Sequence, residues 1–273
     1  MQQQEQINSR LNCMMPFTNI ECSEKIFGKK AYAQKKELDQ IHFPIVRGVI
    51  EDFPHMRDIW EHVIKSELAM DPKSINVLMS DSPLNTKDKK QAMAKELFDE
   101  MKINSLSIFN SAVLSLFSTG RTSGIVVESG QGVTYTVPIF EGYALPHAIQ
   151  RLDVAGQDVT NHLIENLIEQ GCIEKQNSGN YVQFVREMKE QMCSVAYNYE
   201  EAINSPDPLS EEERSYELPD GKGIIEVDHK TRYSATEILF RPKMCGVDGA
   251  GVAELAYKSI EKCDQDLKIV RYL

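Results

Sequence analysis

The sequence predicts an α/β fold with parallel strands, and three observations carry that reading. Short apolar runs bounded by turn residues alternate along the chain with segments of helical period. Capping residues and glycines bracket the helical segments. With 273 residues and 41% hydrophobic content, there is enough apolar side chain for a sizeable core. In sheets of this kind ligands sit at the carboxyl ends of the strands, which directs attention to the loops after residues 80, 109 and 129.

Residues 1–27 are polar and rich in Gln and Asn, with short apolar islands such as Met14, Met15 and Phe17 and neither period, and read as a weakly structured arm. Residues 28–43, GKKAYAQKKELDQIHF, begin basic and become mixed, as in a small exposed subdomain or loop. From Pro54 the pattern sharpens. Met56, Ile59, Trp60, Val63, Ile64 and Leu68 recur every three or four residues, with Asp52 near the cap and Pro54 in the first turn, and predict an amphipathic helix. Residues 75–79, INVLM, predict a buried strand, and residues 86–102 a second helix with Met93, Leu97, Phe98 and Met101 on its stripe. Residues 105–109 read as a strand, 111–117 as a short helix stopped by Gly120, and 124–129 as another strand.

A third helix is expected over residues 158–170, capped by Asp158, striped with Val159, Leu163, Leu167 and Ile168, and closed by Gly171. A fourth is expected over residues 180–197, with Val182, Val185, Met192 and Val195 on one side. Residues 203–214, INSPDPLSEEER, combine two prolines with acids and read as a loop. SYEL and GIIEV flank Pro219, Asp220 and Gly221 as the arms of a hairpin. Ser234 and Glu237 have capping-box spacing and predict a short helix toward Leu239 and Phe240; residues 251–273 end in a helical pattern. There is no internal repeat.

Forty-one carboxylates against thirty Lys plus Arg give a formal charge of -11, without the basic stripe that a phosphate backbone requires. Nucleic acid and anionic membrane are therefore not expected partners. Cys13, Cys22, Cys172, Cys193, Cys245 and Cys263 are scattered, form no C-x-x-C pair and lie near no His at metal-ligand spacing, as expected of reduced cytosolic thiols. No apolar run approaches the roughly 18 residues of a membrane span, and MQQQEQINSR lacks the apolar core of a secretory signal, so a cytoplasmic protein is expected.

The most informative stretch is residues 124–160, GIVVESGQGVTYTVPIFEGYALPHAIQRLDVAGQDVT. It holds a strand, a tight turn of Ser129, Gly130, Gln131 and Gly132, and an alternating second strand over residues 133–140. Glycines there let a ligand approach, and successive backbone N–H groups can converge on phosphate oxygens. On the residues alone, an ordinary glycine hairpin is the favoured explanation of the pattern. Likewise Ser129 could cap a turn, Lys189 and Glu190 could form a solvated helix face, and His147 in ALPHAI reads as a structural, hydrogen-bonded histidine.

The whole string resembles the second phosphate-binding hairpin and following segment of actin. Flanking segments agree in order: residues 43–63 (FPIVRGVIEDFPHMRDIWEHV), 82–98 (SPLNTKDKKQAMAKELF), 112–124 (AVLSLFSTGRTSG), 215–227 (SYELPDGKGIIEV) and KCDQDL at 262–267. Coverage from Gly28 onward sets the chain apart from sugar kinases and chaperones that share only the fold. The resemblance implies the actin-like ATPase (ribonuclease H-like) fold, two lobes around a cleft, here incomplete at both ends. It divides the chain into a polar arm (1–27), a remnant of a small outer subdomain (28–43), a first-lobe α/β subdomain (44–118), a partial second-lobe inner subdomain (119–154 with 244–273) and a second-lobe outer subdomain (155–243).

The resemblance also implies ATP or ADP with Mg²⁺ in the cleft. It carries nucleotide contacts onto Ser129, Gly130, Gln131, Gly132, Gly156, Lys189 and Glu190, and an indirect, weak metal role onto Glu128. Four positions depart from the family pattern. Ser111 stands where a Gln positions the attacking water, and Tyr135 where a His lies near that water; a phenol with a pKa of about 10 is no neutral-pH base. Glu128 and Gln131 replace two Asp residues that organise the metal's waters, and Mg²⁺ demands near-ideal octahedral geometry. Arg47 stands where a His lies near the phosphate-sensing loop, although a surface Arg after a strand accounts for it as well.

Two larger absences are expected to matter more. The family's first phosphate hairpin has no counterpart in residues 1–27, and the later adenosine loop and closing helices are missing after Cys263. Such losses would leave strand edges and apolar helix faces for a partner to cover. The expected protein is an actin-like cytoskeletal structural or interaction protein, non-hydrolysing, with weak or absent nucleotide binding and other actin or cytoskeletal chains as partners. A slowly hydrolysing actin that polymerises into filaments and a truncated fragment without independent function are the alternatives.

Overall fold

The computed structural model describes residues 17–18, 25–28, 31, 41–174, 178–207, 210, 214–218 and 223–265. The chain divides into two compact units, Met1–Leu114 and Ser115–Leu273.

In the first unit, β1 (Phe17–Thr18) pairs antiparallel with β2 (Ile26–Phe27) and β3 (Ile41–His42) in a three-stranded sheet of order β2-β1-β3. Phe17 and Thr18 are thus strand, not arm, since a two-residue strand is too short to show a period. The rest of the expected arm lies outside the described residues, apart from 25–27. A hairpin comes next, β4 (Ile45–Val46) with β5 (Val49–Ile50). Its turn residues Arg47 and Gly48 have φ of 48° and 79°, the left-handed pair that a two-residue turn demands for its twist to match the strands.

The first helix, α1 (Phe53–Glu61), opens as expected: the Asp52 carboxylate accepts a hydrogen bond from the His55 amide at 3.2 Å, and Pro54 sits in the first turn. It runs into a π-helical turn, His62–Glu67. That wider turn rotates the next side chains away from the 3.6 period, so Ile59, Trp60 and Ile64 are buried while Leu68 is exposed, contrary to the expected stripe. β6 (Asn76–Asp81) lies beyond it. Then α2 (Lys87–Lys95), capped by the Thr86 hydroxyl, also ends in a π turn, Glu96–Glu100, which buries Leu97 and leaves Phe98 exposed.

β7 (Ser105–Asn110) pairs parallel with β6 in register, Val77 opposite Leu106 and Met79 opposite Ile108. Only one face of this pair enters the core: Val77, Met79, Leu106 and Ile108 pack against the cluster built on Trp60, Ile64, Met93 and Leu97. The other face carries Leu78, 58% exposed, so this strand is half-buried where a buried one was expected. Asn110 caps α3 (Ser111–Ser118) by accepting from the Ala112 amide at 2.9 Å.

The second unit forms the hairpin read over residues 124–140, and beyond it contradicts the expectation of parallel strands. β8 (Gly124–Ser129), β9 (Thr134–Phe140), β10 (Tyr143–Ala144) and β11 (Gln150–Leu152) are all antiparallel, with β9 paired to β8 on one edge and to β10 and β11 on the other. The connections are far too short for the crossover of a dozen or more residues that parallel pairing needs. Parallel pairing among the described residues is confined to β6 and β7. β9 is buried on both faces. Its two threonines, Thr134 and Thr136, are satisfied by the carbonyls of Val154 and Leu255.

α4 (Gly156–Glu169) starts two residues before the expected position; Asp158 is its third residue and accepts from the Ala155 amide at 2.9 Å instead of serving as the cap. α5 (Ser178–Met192) ends before the expected position. The chain must become extended at Asn198, whose side chain caps a further helix, α6 (Tyr199–Asn204), so Val195 is exposed. Sequence periodicity missed α6, which is shorter than two turns. β12 (Ser215–Glu217) and β13 (Ile224–Glu226) form the expected hairpin, with Tyr216 opposite Ile225; its turn lies outside the described residues. Ser234 and Glu237 lie inside α7 (His229–Glu237) and do not open it, because Asp228 accepts from Thr231 and is the true cap.

α8 (Val252–Glu261) packs on β9 and β11, and its Ser259 hydroxyl donates to the Ala148 carbonyl at 2.6 Å. Leu163, Leu167, Val185, Met188, Val227 and Ile238 form the centre of the core. The start of α8 tolerates only glycine. A Cβ at Gly251 would coincide with the Phe240 carbonyl, and the neighbouring Val252 amide donates to Leu239 at 2.9 Å, so the backbone has nowhere to move. Gly251→Ala should lower unfolding free energy by about 2 kcal/mol or more, read from denaturant midpoints; an unchanged midpoint would contradict this close packing.

Candidate functional site

The glycine turn, the start of α4 and Lys189 come together in the second unit. β8 and β9 are joined by residues 130–133, and the Gly130 amide donates to Val133 at 3.1 Å, closing the hairpin. Ser129 and Thr134, opposite one another, share a hydroxyl hydrogen bond of 2.8 Å. The hairpin then docks on α4 first through its main chain. Gly156 N–H donates to the Gly130 carbonyl at 3.0 Å, and Gln157 N–H to the Gln131 carbonyl at 2.7 Å. A helix leaves its first amides without intrahelical partners, and here the hairpin's carbonyls satisfy two of them.

Side chains reinforce the contact. Gln131 Nε2 donates to Gln157 Oε1 at 2.6 Å, and Lys189 Nζ on α5 donates to the Gly156 carbonyl at 3.1 Å. Gly156 is the hub: a Cβ there would meet the Gly130 carbonyl at 3.2 Å, Gln131 Oε1 at 3.4 Å and Lys189 Nζ at 3.5 Å. Gly130 is under no such pressure. Its added Cβ would meet only Val133 O, at 3.9 Å, and its φ is not left-handed, so the turn does not itself require glycine there.

Burial lowers the Lys189 pKa from its ordinary 10.5; Glu190 opposes the shift and Arg186 adds to it. Glu190 points away from this contact, accepting from Arg186 at 3.2 Å on the exposed side of α5. Glu128 Oε1 accepts from the Ser115 hydroxyl at 2.7 Å. Tyr135 is 3% exposed, with Arg151 stacked over its ring at 5.8 Å and donating to its hydroxyl at 3.4 Å. His147 is exposed in a 3-10 turn, Pro146–Ala148, at the surface of its unit. Ser111 and Arg47 belong to the first unit, at the start of α3 and in the β4–β5 turn.

The structure thus gathers Ser129, Gly130, Gln131, Gly156 and Lys189, and leaves Glu190 outside that contact. Sequence reasoning missed Gln157. Its spacing from the turn gives no signal, because the amide pair forms only when the hairpin folds onto α4. It also missed a grouping in the first unit, His42, Asp52 and His55, whose donor atoms all lie within 4.8 Å of one another. The available signal was an Asp and a His three residues apart at a helix start.

One turn beyond Lys189, burial pushes the Cys193 thiol up to about 12 from 9.0, against the pull of Lys189 and Arg232. A group with a raised folded-state pKa stabilises fully below its unfolded value and loses that contribution as pH climbs through the folded one. Wild-type stability should therefore begin to fall at about pH 9 toward 12, and Cys193→Ala should show a shallower alkaline decline, measured by denaturant midpoints across that range. Gly156→Val should cost about 2 kcal/mol by prising the hairpin from α4, read in the same way; a neutral result would show that the hub is not tightly packed.

A family model described as Actin matches residues 3–270. The chain belongs to the actin family. No helix among the described residues is long and apolar enough to cross a membrane.

Proposed function

We propose that this actin-family chain is a non-hydrolysing structural or interaction protein of the cytoskeleton, acting in the cytoplasm with other actin or cytoskeletal chains. Its two compact units are read as counterparts of the family's two lobes. Nucleotide binding is weak or absent. The observation that carries this reading is the closed contact between the glycine turn and α4. The Gly130 amide is occupied by Val133, the Gly156 and Gln157 amides by the turn's own carbonyls, and Lys189 by Gly156. Several of the donors around the turn are thus engaged within the protein.

The residues present do not fit a magnesium-bound triphosphate. Mg²⁺ takes oxygen ligands in near-ideal octahedral geometry, and carboxylates beside the phosphates usually supply the protein's share. At the turn the carboxylate is Glu128, held by Ser115, and the second position is the neutral amide of Gln131, held by Gln157. A phenol at Tyr135, buried beneath Arg151, cannot serve as a neutral-pH base in place of an imidazole.

The slowly hydrolysing reading draws support from Lys189, a partly buried cation poised at the Gly156 hub. Calorimetric titration of ATP with Mg²⁺ into the full chain separates the two. The structural reading expects no micromolar binding and no phosphate release, and measurable turnover would overturn it. Ser111→Gln combined with Tyr135→His should still release no phosphate, because the engaged turn and the altered metal-side residues remain; substantial release would show those two positions to be the dominant defect.

A further inference from the structure

We propose that His42, Asp52 and His55 form a site for one divalent transition-metal ion of the zinc class, pinning β3 to the start of α1. The three residues come from different pieces of the first unit: the end of β3, the cap of α1 and its third residue. Each offers one donor atom, the donors lie within 4.8 Å of one another, and all three residues are half-buried. Asp52 Oδ2 and His55 Nδ1 are 2.5 Å apart, while the His42 ring stacks on His55 with centroids 4.1 Å apart and planes 15° from parallel.

Capping alone does not call for this arrangement. The cap is complete with Asp52 Oδ1 and the His55 amide, and needs neither imidazole. Beyond the cap, a second carboxylate oxygen and two imidazoles converge on one spot, the two-nitrogen, one-oxygen donor set that zinc and its neighbours accept and that Mg²⁺ or Ca²⁺ does not prefer.

The exchange balances simply. The proton shared by Asp52 and His55 leaves to solvent, the ion takes its place, and His42 turns in as the third donor. Bonds of about 2.0–2.1 Å require donors roughly 3.4 Å apart in a tetrahedron. Asp52 and His55 therefore open from 2.5 Å, while His42 adjusts within a group whose donors already lie inside 4.8 Å of one another. Water completes the shell. The consequence is a cross-link between a two-residue strand and a helix.

Zinc titrated into the full chain by calorimetry should bind at one equivalent through this site and raise the melting temperature. His42→Ala and His55→Ala should each weaken binding at least about tenfold, and His147→Ala, an exposed histidine elsewhere, should leave it unchanged. Cobalt in place of zinc should show ligand-field absorption without a thiolate charge-transfer band, which separates this site from the cysteines. If His55→Ala does not fold, Asp52→Asn decides, since the amide oxygen still caps α1 while the anionic ligand is lost; it should weaken zinc binding to the same degree. Absence of zinc binding, affinity unchanged in these variants, or a thiolate spectrum would overturn the assignment.

Discussion

A helix that begins inside a fold must find partners for its first amides, and in the second unit that requirement organises everything around it. Two hairpin carbonyls, from Gly130 and Gln131, take the amides of Gly156 and Gln157. The contact works only because the turn is four residues long, which sets the two carbonyls side by side, and because Gly156 has no side chain to hold them off. With α4 anchored there, Val159, Leu163 and Leu167 are aimed into the core, where α5 and α7 meet them. The main-chain bonds contribute about 0.5–1.5 kcal/mol each; the larger effect is to fix the direction of a helix that buries an entire stripe.

The same contact governs the chemistry. A glycine turn beside a helix start is a place where anions can be held, provided its N–H groups face outward. Here several face their own chain. Lys189 shows the consequence of that arrangement: burial depresses its pKa against the opposing charge of Glu190, and its ammonium donates to the Gly156 carbonyl.

The first unit is held together differently. Two of its helices end in π turns that carry Leu68 and Phe98 to the surface while Trp60, Ile64 and Leu97 stay in the core. Its parallel strand pair meets those helices on one face only.

Much was legible without coordinates. Capping by Asp52, helix stripes through Trp60 and Leu163, strands at 105–109 and 124–129, and the hairpin of Tyr216 and Ile225 all arise from local period and turn chemistry, which act over neighbours in sequence. Family membership was legible for a related reason: the motif strings run in order along the chain, and the match spans residues 3–270. Strand direction outside the two hairpins, π turns, the engagement of Gly130 by Val133, the Gln131–Gln157 pair and the meeting of His42 with His55 were not. Each depends on groups distant in sequence being brought within hydrogen-bond or van der Waals reach, and side-chain period carries no information about which distant group will arrive. The sequence by itself determined what each segment could become and which family it belongs to. Only tertiary structure decided which of the turn's donors were left to face outward, because a hydrogen bond forms with whatever partner the packing brings within reach.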